Sequence, residues 1–87
     1  MTLKIERIKA GIRLSGELRS AQLDQVKAEL QECGASAILD LDEVNLTDVE
    51  GVRFLNLCEA SGISVVNCSS YIREWMLRER KERAKTK

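Results

Sequence analysis

The 87 residues read as one small α/β domain built on a mixed sheet. Three observations carry that reading. Apolar and polar residues alternate over 3–18, with a break at Lys9-Ala10-Gly11, which is the pattern of an opening hairpin. Apolar residues then recur at helical spacing in two later stretches. Each of those stretches is followed or preceded by a short apolar run of the kind a buried strand uses. The resulting order, β-β-α-β-α-β-α, implies right-handed parallel crossovers after the hairpin.

Taken in order, Leu3 and Ile5 alternate with Lys4 and Glu6 in a half-exposed first strand. Ile12-Arg13-Leu14 alternates again, and the second strand closes at Ser15-Gly16-Glu17-Leu18. Ser20 suits a helix N-cap, because its hydroxyl can accept an orphan backbone N–H. Leu23, Val26, Leu30 and Cys33 follow on one helical face, and Gly34 supplies the stop. Residues 37–41 form the next, buried strand. The second helix starts near Asp48 and carries Val52, Phe54, Leu55, Leu57 and Cys58 as far as Ser61-Gly62. Its apolar positions cover more than half its surface, so it is deeply buried or has a partner. Residues 63–68 are the last strand, and Ser69-Ser70 caps a third helix. Tyr71, Ile72, Trp75 and Met76 share one face of that helix, with Tyr71 and Trp75 closing the core. From Arg78 onward it has nothing left to bury and is expected to fray.

Composition narrows the function. With 44% hydrophobic and 32% charged residues, the chain belongs with globular domains and not with disordered segments. No apolar run approaches a membrane span, and the N-terminus lacks a signal-peptide core, so cytoplasmic residence without membrane insertion is expected. Cys33, Cys58 and Cys68 are odd in number and show no paired spacing, which argues against disulfides and zinc and for small core residues. The absence of histidine removes histidine-based catalysis and histidine-ligated metal. No catalytic residue, metal or cofactor is assigned. The charge balance is zero, yet residues 78–87 carry a net +4 against −4 on the body. Without interleaved aromatics, that tail reads as a solvated helix end, and no nucleic-acid partner is expected.

The stretch 37–51 stands out, because a strand that turns straight into a helix N-terminus is a frequent place for a binding or switching site. Thr47-Asp48-Val49-Glu50 fits a capping box, with Thr47 and Glu50 serving each other's backbone N–H. Asp40, Asp42 and Glu43 beside Asp48 superficially suggest an acidic metal pocket. No lysine lies near enough to complete a receiver-type site, so they are read as solvated loop carboxylates.

These residues resemble a known family. The Leu14-Ser15-Gly16-Glu17-Leu18 strand, Ile38-Leu39-Asp40-Leu41, Val44, Asp48-x-x-Gly51 and Ser69-Ser70-Tyr71-Ile72-Arg73-Glu74-Trp75 are together similar to the STAS domain. That domain is the module of anti-sigma factor antagonists and of sulphate transporter tails. The likeness spans roughly residues 3–77 and implies a STAS-like domain over 1–77, C-terminally truncated relative to the family, with a basic helical or frayed tail at 78–87. In the family a hydroxyl in this turn is phosphorylated by an anti-sigma kinase. Here Val49 and Glu50 occupy the acceptor positions, so no phosphorylation is expected at either.

The resemblance therefore implies a regulatory, non-catalytic interaction module acting in signalling or transcriptional control. Its expected contact residues are Thr47, Asp48, Val49, Glu50, Gly51, Arg53 and Phe54, engaged constitutively. The expected partner is an anti-sigma kinase-like protein. The alternative is a transporter component, with the chain as a cytoplasmic regulatory subunit of a membrane transport system. Self-association as a homodimer, through an uncovered part of the sheet or helix layer, is compatible with either. Glu50 is read chiefly as a helix cap, with mimicry of a phosphorylated residue as the functional alternative.

Overall fold

A two-residue turn at Lys9–Ala10 joins β1 (Leu3–Ile8) to β2 (Gly11–Leu18) as an antiparallel hairpin. The computed structural model of the chain describes residues 3–34 and 37–85. After the hairpin come α1 (Leu23–Cys33), β3 (Ile38–Thr47), α2 (Val49–Ala60), β4 (Ser64–Val66) and α3 (Ser70–Lys85). The sheet order is β1-β2-β3-β4, with β2, β3 and β4 mutually parallel. The expected α/β class, element order and mixed sheet are all present.

Both crossovers step in the same direction across the sheet, so right-handedness puts α1 and α2 on the same face. The core lies between them and the sheet. Ile12, Leu14 and Leu18 of β2, Leu39 and Leu41 of β3, Val26 of α1 and Val52 and Leu55 of α2 are all fully buried there. Ile72 and Met76 bring α3 onto this core alongside α2.

The last strand is shorter than the expected 63–68, covering only Ser64–Val66 because Asn67 leaves it with a φ of +56°, and three further boundaries depart from expectation, each for a local reason. The first is β3, which does not end at 41 but continues to Thr47. Its burial runs Leu41, Val44, Thr47, every third residue, with the pairs between them exposed. Two register irregularities against β2 insert an extra β3 residue each. Such bulges break the two-residue alternation by which a strand is recognised.

The second departure is at the start of α1. Ser20 is not its N-cap. Residues Ser20–Gln22 make a 3-10 turn in which Gln22 donates its N–H to the Arg19 carbonyl, and α1 follows from Leu23. At the other end Gly34 stops the helix as expected. Its φ of 96° favours glycine, and its N–H donates to the Leu30 carbonyl at 3.2 Å.

The third is α3, which does not fray at Arg78 but continues as helix to Lys85. Polar partners replace the missing apolar ones. Arg53 Nε donates to Glu79 at 3.1 Å, and Arg80 Nη2 donates to both Asn56 and Glu59 at 2.8 Å. Ser69 caps α3, accepting the Ile72 N–H at 3.3 Å. Tyr71 does not close the core; it is exposed and stacks obliquely on the half-buried Trp75. Residues 86 and 87 of the basic tail lie outside the described residues.

Candidate functional site

The turn at 47–51 is held by three residues, each bonded to a different part of the chain. Thr47 is buried, and its hydroxyl donates to the Leu18 carbonyl at the end of β2 (2.9 Å). Asp48 is the N-cap of α2, its Oδ1 accepting the Gly51 N–H at 2.9 Å. Its other oxygen accepts the Ser20 N–H at 3.1 Å, across the chain. Gly51 is buried where a Cβ would collide with Thr47 Oγ1 and come within 2.9 Å of the Leu18 carbonyl. Only a glycine lets α2 start this close to β2.

This geometry corrects the expected capping box. Thr47 sits one position too early and spends its hydroxyl on β2, so Asp48 caps the helix instead. Glu50 does not reach back to Thr47. It is exposed and lies 3.6 Å from Arg53 in an i,i+3 ion pair. As an acidic residue in the first turn it also suits the helix dipole.

Of the seven expected contact residues, the fold exposes Glu50 and Arg53 and half-buries Asp48 and Val49. Thr47, Gly51 and Phe54 are buried. Phe54 instead lines an open groove of about 430 Å³ between α1 and α2, with Leu30, Leu57, Cys58 and Ile63. Leu57 rises from its edge and is 57% exposed. The one hydroxyl in the turn, that of Thr47, is therefore out of solvent and already bonded.

Two polar clusters escaped the sequence reading. The first is on the sheet face away from the helices. Asp40 is buried there and is no solvated loop carboxylate. Its Oδ1 accepts from Asn67 Nδ2 at 3.1 Å and from the Asp42 N–H at 2.9 Å. Arg13 Nε stands 3.6 Å from Oδ2, an ion pair too long for a hydrogen bond. Burial would raise the Asp40 pKa, but Asn67, the Asp42 amide and Arg13 outweigh it and hold it below the ordinary carboxylate value.

The second cluster fastens α3 to α2. Arg73 Nη1 donates to both oxygens of Glu59, at 3.0 and 3.1 Å, and Arg80 donates to the same carboxylate. Burial pushes the Glu59 pKa up, yet the bonds from Arg80 and Arg73 more than offset it and leave it lowered. A carboxylate 59 residues into the chain and two arginines on a later helix share no recognisable spacing, so nothing in the sequence pointed to them.

The cysteines divide by burial. Cys58 is buried, and desolvation with the neighbouring Glu59 charge pushes its thiol up to about 11. Cys33, at the end of α1, and Cys68, in the loop between β4 and α3, are half-buried. Among the described residues no three of Cys, Asp and Glu converge as metal ligands, and no helix is long and apolar enough to cross a membrane. Comparison with known protein families, curated proteins and solved structures finds no match.

Proposed function

We propose that this chain is a STAS-like, non-catalytic interaction module that binds a partner protein constitutively through the start of α2. The observation that carries the reading is the construction of the turn. Asp48 ties it at once to α2 and to the segment after β2, while Glu50 and Arg53 project from it. A surface held in one conformation loses little entropy on binding, which favours a preformed recognition element over a switch. Val49 and Glu50 offer no hydroxyl, and that of Thr47 is buried, so phosphorylation has no ready acceptor in the turn. A STAS-like identity is supported by the element order and by the residues at Asp48 and Gly51. Binding by an anti-sigma kinase-like protein follows from that likeness by analogy alone.

The test is affinity capture from source cells with three baits: wild type, Glu50→Lys with Arg53→Glu, and a control reversal at Lys27. Glu50, Arg53 and Lys27 are all exposed, and because Arg53→Glu also gives up the bond to Glu79, circular dichroism verifies that each variant folds. One protein should be retained by wild type and by the Lys27 control, and lost by the double variant. Retention by all three baits would remove the start of α2 as the binding surface. Recovery of transport components through the same surface would move the module to the alternative role.

A further inference from the structure

The two edges of the sheet are finished differently. On one side, β4 pairs with β3 over only Ser64–Val66. Ser64 donates its N–H to the Ala37 carbonyl, so the main-chain groups of Val65 point outward, away from β3. The Val65 carbonyl is taken by Arg73 Nη2 at 3.3 Å, and the same guanidinium is anchored on Glu59. Asn67 then leaves the strand with a φ of +56°, turning the chain away. A short, turned strand with a bonded carbonyl is protected against a further strand.

Among the described residues, the other edge has none of these features. β1 pairs with β2 over six residues without a register break. Ile38 donates its N–H to the Ala10 carbonyl, so Gly11 directs its own main chain to β1, where it faces Ile8. By strand alternation Lys4, Glu6 and Ile8 then bond to β2, and the main-chain groups of Leu3, Ile5 and Arg7 face outward. Lys4 and Glu6 are exposed. Leu3 and Ile5 pack from the other face against the core, and Arg7 bonds Glu29 and Glu32 of α1 at 2.9 and 2.8 Å.

We infer that β1 docks a second copy of this chain, by two-fold antiparallel pairing of β1 with β1 in a register centred on Ile5. Three features converge on that occupant and register. Outward residues meet outward residues: Leu3 faces Arg7 of the second copy, and Ile5 faces Ile5. Those pairs exchange main-chain hydrogen bonds and merge the two sheets into one. In the same register, Lys4 faces Glu6 of the second copy and Glu6 faces its Lys4. These are non-hydrogen-bonded pairs, in which side chains approach most closely and opposite charges attract. Sliding the register by one step sets Lys4 against Lys4 or Glu6 against Glu6, which repels. Charges that would ordinarily keep a foreign strand from an edge here select an identical one. The ladder is short, so the dimer belongs to the weak class that forms at high concentration.

Sedimentation equilibrium of the full chain at low ionic strength, from micromolar to millimolar, tests this. Wild type should move from monomer to dimer. Lys4→Glu and Glu6→Lys each place like charges opposite one another at both contacts and should weaken dimerisation roughly tenfold or more. Mixing the two variants restores opposite charges at both contacts, and the mixture should dimerise when neither variant does alone. Far-ultraviolet circular dichroism confirms that each variant is folded. A wild type that stays monomeric, single variants that dimerise like wild type, or a mixture no better than its components would each overturn the inference.

Discussion

Asp48 accepts the backbone N–H of Ser20 with one carboxylate oxygen while capping α2 with the other. One side chain thus fixes both the start of α2 and its position against the segment that leaves β2. Asp48→Ala removes a cap worth about 0.5–2 kcal/mol and leaves the Ser20 N–H without its acceptor. A total loss of about 1–3 kcal/mol is expected in urea unfolding. Asp48→Asn, which keeps the cap oxygen, should lose less.

Gly51→Ala is expected to cost about 1–3 kcal/mol, the usual range for overpacking a tight contact. The added methyl meets Thr47 Oγ1 and the Leu18 carbonyl, neither of which can move without breaking the bond between them. The same substitution at exposed Glu50 should change the unfolding midpoint little. An unchanged midpoint for Gly51→Ala would mean that α2 can shift from β2 without penalty.

Stability should fall in acid through Glu59. Its pKa is lowered in the folded state from an ordinary value of 4.5, because the bonds from Arg80 and Arg73 outweigh the burial that would raise it. A lowered folded pKa contributes stability that is complete above 4.5 and is lost as pH falls through the folded value. Asp40, also lowered, acts with the same sign from 3.8 downward. Glu59→Gln should therefore be less stable than wild type at neutral pH, and the gap should close in acid. Chemical denaturation at several pH values measures that gap.

Cys58 should be the last thiol to react. Its pKa of about 11 leaves on the order of one thiolate in a thousand at pH 8. Its burial also blocks access. Timed alkylation with mass spectrometry should label the half-buried Cys33 and Cys68 first, and Cys58 at a rate that rises with denaturant.

How far the sequence reached depended on whether the signal was local. The hairpin, α1 and the glycine stop at Gly34 follow from period and turn chemistry within a few residues. The second half of β3 did not, because its two bulges turn a strand into an every-third-residue pattern. Thr47 and Asp48 are adjacent and both types cap well, so residue type alone does not choose between them. What decided it was the Leu18 carbonyl, 29 residues away, which takes the Thr47 hydroxyl. The helical course of α3 past Arg78 was hidden for the same reason, since Arg53, Asn56 and Glu59 are its partners only in the folded chain. In the turn, residue type and spacing marked where β3 passes into α2 but not which side chains there face solvent.

If the start of α2 binds its partner without a phosphorylation switch, magnesium-ATP should leave that binding unchanged. The direct measurement is the affinity of the captured partner for the purified chain, with and without magnesium-ATP, by titration calorimetry. The same affinity is expected in both conditions for wild type, and a large loss for Glu50→Lys with Arg53→Glu in both. A wild-type affinity that changes with magnesium-ATP, with phosphate mapped to residues 47–51, would contradict it.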